Sequence, residues 1–131
     1  MIFIDSSIPV YLIGADHANK DRAVSILERL VRDEERLVTD AEVFQEMLHH
    51  YTAIAEPAAI DAAYELLLQV ADDVLPVTIE DAVRAKSLLV STPGLTVRCA
   101  VHAAVMTRHG IRTVFSFDPA FDSLRILSRL S

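Results

Sequence analysis

The chain has 131 residues, with 12 Lys plus Arg against 19 Asp plus Glu, a net charge of −7 and one cysteine. That length supports one domain, 1–131, burying roughly two-thirds of the surface the unfolded chain exposes. The lone Cys99 excludes a disulfide framework, and the acidic balance excludes nucleic-acid binding through a broad basic surface, though not an enzyme that gathers its acids around cations. No apolar stretch approaches the roughly 20 residues of a membrane-spanning helix, and the amino terminus lacks the basic region of a signal peptide. A soluble cytoplasmic protein with no membrane association is expected.

In chain order, the apolar run 2–4 predicts a buried strand that stops at Asp5. Ser6 and Ser7 offer caps for a short helix over 8–13, with Pro9 in its first turn and Gly14 ending it in a left-handed conformation. After a polar break at 16–20, Ala23, Ile26, Leu27, Leu30 and Val31 recur at helical spacing, and that helix ends near Glu35. Leu37 and Val38 make a brief strand. Val43, Met47 and Tyr51 mark a third helix, which carries Glu46, and Pro57 opens a fourth that Asp72 and Asp73 close. A strand over 74–77 follows, then a helix over 79–90 opened by the Thr78–Asp81 capping pair. Thr96 caps the next helix and Gly110 ends it; strands are expected at 113–117 and 125–127. Short strands alternating with helices give an α/β domain around a mainly parallel sheet of about five strands. Ligands bind such sheets beyond the carboxyl ends of the strands, where Asp5 and Asp118 fall.

A single acid at a strand end is ordinarily a cap or a solvated turn residue. Three distant ones amid apolar sequence, Asp5, Glu46 and Asp118, make a candidate cluster. Grouped carboxylates repel each other and suit a hard divalent cation such as Mg²⁺ or Mn²⁺. There is no Gly-rich phosphate loop and no nucleophile elbow, and the adjacent His49 and His50 point different ways on their helix.

In order and spacing, four segments carry a resemblance. Met1–Ser7, Thr39–Glu46, Leu95–Met106 and Val114–Asp122 together resemble the motifs of the PIN-domain ribonucleases, in particular the VapC toxins of bacterial toxin–antitoxin pairs. The resemblance implies a PIN-like fold and a divalent-metal-dependent endoribonuclease leaving 5′-phosphate and 3′-hydroxyl ends. It makes Asp5, Glu46 and Asp118 catalytic acids, with Asp5 and Asp118 as metal ligands. It also implies a cognate antitoxin partner and a homodimer. Val10, Tyr11 and Ile13 with Ile26, Leu27 and Leu30 are a candidate face for an antitoxin helix, with core packing as the alternative.

The chain departs from the family at one position. Where the pattern reads Arg, Asp, Ala, an apolar residue and His, this sequence has Arg98, Cys99, Ala100, Val101 and His102. Four carboxylates neutralise two divalent ions; with Cys99 as a neutral thiol, a poor ligand for a hard cation, one charge is missing. Three readings stay open: loss of a metal and of activity, recruitment of a softer ion by Cys99 with His102, or compensation by Asp122 or Glu42. Ser7 is a further candidate, as a water or phosphate contact or as a helix cap, and Arg98 as a phosphate contact or the partner of a surface acid. The alternative to a ribonuclease is a catalytically silent PIN fold acting as a protein-binding partner.

Overall fold

A computed structural model describes residues 1–131. The chain runs β1 (Ile2–Ile4), α1 (Ser7–Ile13), α2 (Ala18–Arg32), β2 (Leu37–Asp40), α3 (Ala41–Ala53), α4 (Ala58–Val70), β3 (Asp73–Leu75), α5 (Ile79–Ser91), α6 (Val97–Arg108), β4 (Thr113–Phe115), a 3₁₀ turn (Pro119–Ser123) and β5 (Ser128–Leu130). The five strands form one sheet in the order β3-β2-β1-β4-β5, with every pairing parallel. β1 is central because Ile2, Phe3 and Ile4 can all be buried. Phe3 sits opposite Val38 of β2 and Val114 of β4, and burying its side chain contributes roughly 2–3 kcal/mol. The chain works outward from β1 to β3, then crosses back to β4, so the order switches at β1 and β4. The crevice beyond their carboxyl ends is where a parallel sheet receives a ligand.

α6 lies across this crevice. Cys99, Ala100 and residues 102–106 of it are all buried, and the small side chains of Ala100 and Ala104 let Ala85 of α5 approach closely. Gly110, at φ +69°, closes the helix as its spacing predicts. No helix is long and apolar enough to cross a membrane.

Several boundaries differ from the sequence pattern. α2 starts at Ala18, inside the expected polar break, because the His17 ring accepts from the Asn19 backbone N–H and serves as an unusual cap. It stops at Arg32, short of Glu35, and Glu34 takes a left-handed φ of 55° just beyond. Gly14 is extended, not left-handed, and neither Ser6 nor Ser7 caps α1, since Ser7 is engaged by Asp5. β3 ends at Leu75 because Pro76 has no N–H to continue the ladder. The last strand is 128–130, not 125–127. The 3₁₀ turn and a bond from Leu127 N–H to Leu124 C=O use up the preceding residues, leaving Ile126 exposed.

At the start of α5 the expected cap is a full capping box, in which the Asp81 carboxylate accepts from the Thr78 backbone N–H. The buried Asp81 also accepts two bonds of 2.9 Å from Arg108, and the Arg108 bonds hold its carboxyl below the usual carboxylate range. A group with a lowered folded-state pKa stabilises the fold above its unfolded value of about 3.9 and loses that contribution as the pH falls through the folded value. Arg108→Met is therefore expected to lower the melting temperature at pH 7, with the deficit shrinking as Asp81 is protonated. Thermal melts between pH 7 and pH 2.5 check this.

Candidate active site

Asp5 leaves β1 directly into the crevice and is fully buried. Its Oδ2 accepts from Ser7 Oγ at 3.0 Å and from Ser116 Oγ, just past β4, at 2.6 Å. Ser7 Oγ in turn accepts from the Phe117 N–H and Ser116 Oγ from the Asp118 N–H, so two hydroxyls lace β1 to the turn after β4. Asp5 Oδ1, on the other hand, is buried with no hydrogen-bond partner. On α3, Glu46 Oε1 meets His102 Nε2 at 2.6 Å, while Glu46 Oε2 is likewise buried and without a partner. A buried oxygen left unpaired costs about 1–3 kcal/mol, more when charged. Ligand atoms of Asp5, Glu46 and His102 lie within 4.8 Å of one another.

His102 is fully buried, and its other nitrogen, Nδ1, meets Asp40 Oδ2 at 2.7 Å. Burial by itself pushes the imidazole pKa down, but the hydrogen bonds to Asp40 and Glu46 outweigh it and raise the value to about 10. Both ring nitrogens are thus engaged by carboxylates. The donor atoms that converge with His102 are those of Asp5 and Glu46, while the Cys99 thiol faces Asp118, so no Cys99–His102 zinc pair is assembled. The Cys99 thiol points to Asp118 Oδ2 at 3.5 Å, and burial pushes its pKa up to about 12, so it is neutral.

Asp118 follows β4 and caps the 3₁₀ turn through Oδ1, which accepts from the Ala120 N–H. Its Oδ2 accepts from Arg98 Nη2 at 2.8 Å, and the same nitrogen is 3.6 Å from Asp5 Oδ2. Burial opposes ionisation of Asp118, yet the Ala120 N–H and the Arg98 charge lower its pKa. Arg98 thus pairs with acids of the crevice rather than a surface acid. With its side chain 38% exposed, it carries this positive charge to the opening lined by Glu42, Glu46 and His49.

Of the candidate acids, Asp5, Glu46 and Asp118 come together around this crevice. Glu42 stands at its rim, where burial and then the charge of Glu46 raise its pKa. Asp122 turns away to make two bonds with Arg129 and contributes nothing here. Sequence reasoning missed Asp40 and Ser116. Each stands at a strand's carboxyl end, the same signal that exposed Asp5, but a helix cap and a small hydroxyl attract no notice. Val10, Ile13, Ile26 and Leu27 are half-buried and packed against the main core, Leu30 is buried, and the half-buried Tyr11 ring meets His17 and Phe117.

A parallel five-stranded α/β sheet with acids from separate elements meeting at its switch point is the architecture of the PIN domain, and the model of that family matches residues 2–127. The chain belongs to the PIN-domain family. Within it, the chain groups with the VapC ribonucleases of toxin–antitoxin systems. Ribonuclease VapC13 of Mycobacterium tuberculosis is 44% identical over 131 residues, the full length of both chains. Ribonuclease VapC23 of the same species is 33% identical over 118 residues, 90% of this chain and 93% of that one. Among solved structures, Mycobacterium tuberculosis VapC20, described as a sarcin-ricin loop cleaving toxin, has a TM-score of 0.77 at 25% identity over 94% of each chain. VapBC2 from Rickettsia felis, bound to a fragment of its promoter DNA, shares the fold at a TM-score of 0.74 and 13% identity, covering 99% of this chain and 98% of that one.

Proposed function

We propose that this chain is a divalent-metal-dependent endoribonuclease, the toxin of a toxin–antitoxin pair, with Asp5 and Glu46 holding the ion and Asp118 completing the acidic site. One observation carries the reading: two buried carboxylate oxygens, Asp5 Oδ1 and Glu46 Oε2, have no hydrogen-bond partner in the protein, with His102 Nε2 standing 4.0 Å from Asp5 Oδ1. A hard cation satisfies both, and with His102 spent on two carboxylates the free donors are all oxygen, which suits Mg²⁺ or Mn²⁺. Such an ion supplies Lewis acidity, making water a nucleophile near neutral pH and offsetting charge that develops on the phosphate. Ser7 and Ser116 hold Asp5 in place, and Arg98 brings a fixed positive charge for the substrate phosphate at the mouth. Charge on the guanidinium stands in part for the carboxylate-bound ion that Cys99 does not support.

The complexes among the structural neighbours support an antitoxin protein as partner, and the family resemblance supports a homodimer acting on RNA in the cytoplasm. Cys99 favours a second reading, a PIN fold that has lost catalysis and acts by binding its partner, because a neutral buried thiol replaces a ligand.

Antitoxin-free protein is expected to cleave RNA with Mg²⁺ or Mn²⁺, to stop with EDTA, and to bind Mn²⁺ at least about tenfold more weakly as Asp5→Asn. Mn²⁺ binding unchanged in Asp5→Asn rejects the metal assignment. Metal binding without cleavage of any RNA favours the binding-only reading.

A further inference from the structure

We propose that His102 is a positioning residue: it clamps one oxygen of Glu46 against Asp40, so that Glu46 offers only Oε2 to the ion. The inference rests on the metal-dependent reading above and assigns how one of its ligands is presented. Three observations carry it. First, the ring contacts are short at both ends, 2.7 Å to Asp40 Oδ2 and 2.6 Å to Glu46 Oε1. Second, the ring is fixed in its plane by Phe3, with centroids 5.2 Å apart, and by Phe121, stacked at 6.5 Å. The ring is fully buried, and beyond these two short contacts its nitrogens meet only Asp5 Oδ1, at 4.0 Å from Nε2. Third, Asp40 is itself immobile, because its Oδ1 accepts from the Val43 N–H at 3.0 Å as the N-cap of α3. Glu46 stands on that same helix, so Asp40, the ring and Glu46 close a loop between α3 and α6.

The consequence is directional. A free glutamate on a helix rotates among several rotamers and can present both oxygens to a cation. Here Oε1 is taken, Glu46 is 11% exposed, and Oε2 is left as the buried oxygen without a partner. Asp5 is treated in the same way by Ser7 and Ser116, which take Oδ2 and leave Oδ1. Each acid therefore has one oxygen held by hydrogen bonds and one without any. Hydrogen-bonded partners of metal ligands of this kind change metal affinity or activity by about 10–100-fold when removed.

The test uses the full chain and separates the two ring nitrogens. A glutamine amide reaches about as far as Nε2 and an asparagine amide about as far as Nδ1. His102→Gln keeps a donor for Glu46, whereas His102→Asn keeps one only for Asp40. Mn²⁺ titration followed by electron paramagnetic resonance is expected to give His102→Gln an affinity within about threefold of wild type and His102→Asn a loss of about tenfold or more. Proton NMR of the metal-free wild type is expected to show two far-downfield ring N–H signals, one displaced in Glu46→Gln and the other in Asp40→Asn. A residue needed only for packing would lower the melting temperature in both His102 variants and leave Mn²⁺ affinity equal. Equal affinities in folded variants overturn the clamp. Should the His102 variants not fold, Asp40→Asn, which keeps the cap on Val43, must still weaken Mn²⁺ binding, and unchanged affinity there overturns it too. If wild type shows both ring signals but binds no Mn²⁺, the nuclease reading fails and the clamp survives; if the signals are absent, the clamp fails whatever Mn²⁺ does.

Discussion

Cys99→Asp is expected to raise RNA cleavage by about 10²–10³-fold, the range associated with gaining or losing one well-placed electrostatic contact at a reacting centre. The side chain at position 99 is fully buried and reaches Asp118 Oδ2, so a carboxylate there joins Asp118 and Asp5 around one point. In the natural chain that point is served by the guanidinium of Arg98, 2.8 Å from Asp118 and 3.6 Å from Asp5. One cation cannot neutralise three carboxylates, so the variant has room for a second divalent ion where the natural chain does not. Mn²⁺ titrations should accordingly register one additional site. Without metal the added charge is buried among acids, and the variant should unfold more easily by about 3 kcal/mol, a deficit that Mn²⁺ restores. Cys99→Asn has a similar shape without the charge and should show no gain in cleavage. Nor should Cys99→Asp combined with Asp5→Asn. Natural protein that cleaves as fast as Cys99→Asp would show that the fourth carboxylate is dispensable and that Arg98 suffices.

What was legible in the sequence follows from the range of the interactions. Asp5 and Asp118 were visible because an apolar strand that halts at an acid is a local pattern. The parallel sheet was visible for a similar reason, in the alternation of short apolar runs with helical spacing. Glu46 carried a weaker local signal, an acid on a helix among apolar neighbours, and the family pattern reinforced it. The dual role of His102 was hidden: its partners lie 62 and 56 residues away, on β2's end and on α3, and neither has a spacing that marks it. Ser116 reaches Asp5 across 111 residues. The misplaced final strand has a different cause. Residues 125–127 are apolar enough for a strand, but the turn closed by Leu127 comes first, and only from Ser128, whose N–H bonds the Arg112 carbonyl, does pairing with β4 begin. Local hydrophobicity identifies strand formers; the length of the preceding turn sets the register.

His102→Leu is expected to destabilise the fold by about 3–5 kcal/mol, because removing one member of a buried charge-paired network leaves its partners uncompensated. Leucine fills much the same volume between Phe3 and Phe121, so the loss is electrostatic rather than a cavity. Asp40 is fully buried and keeps only its Val43 contact, and Glu46 loses the partner of Oε1. If the cost lies in the stranded carboxylate, adding Asp40→Asn should recover part of it, since asparagine retains the cap on α3 and carries no charge. Chemical denaturation of wild type, both single variants and the double variant gives the coupling, and strict additivity would place the cost elsewhere. The pH dependence has a fixed sign. Because the hydrogen bonds to Asp40 and Glu46 raise the His102 pKa to about 10, its contribution is complete below the unfolded value of about 6.5 and is lost as the pH rises through 10. The gap in stability between wild type and His102→Leu should therefore be wide near pH 6.5 and narrow steadily towards pH 10. A gap that stays constant over that interval would mean that folding draws no more protons onto the wild-type network than onto that of the variant, and the charged ring would be rejected.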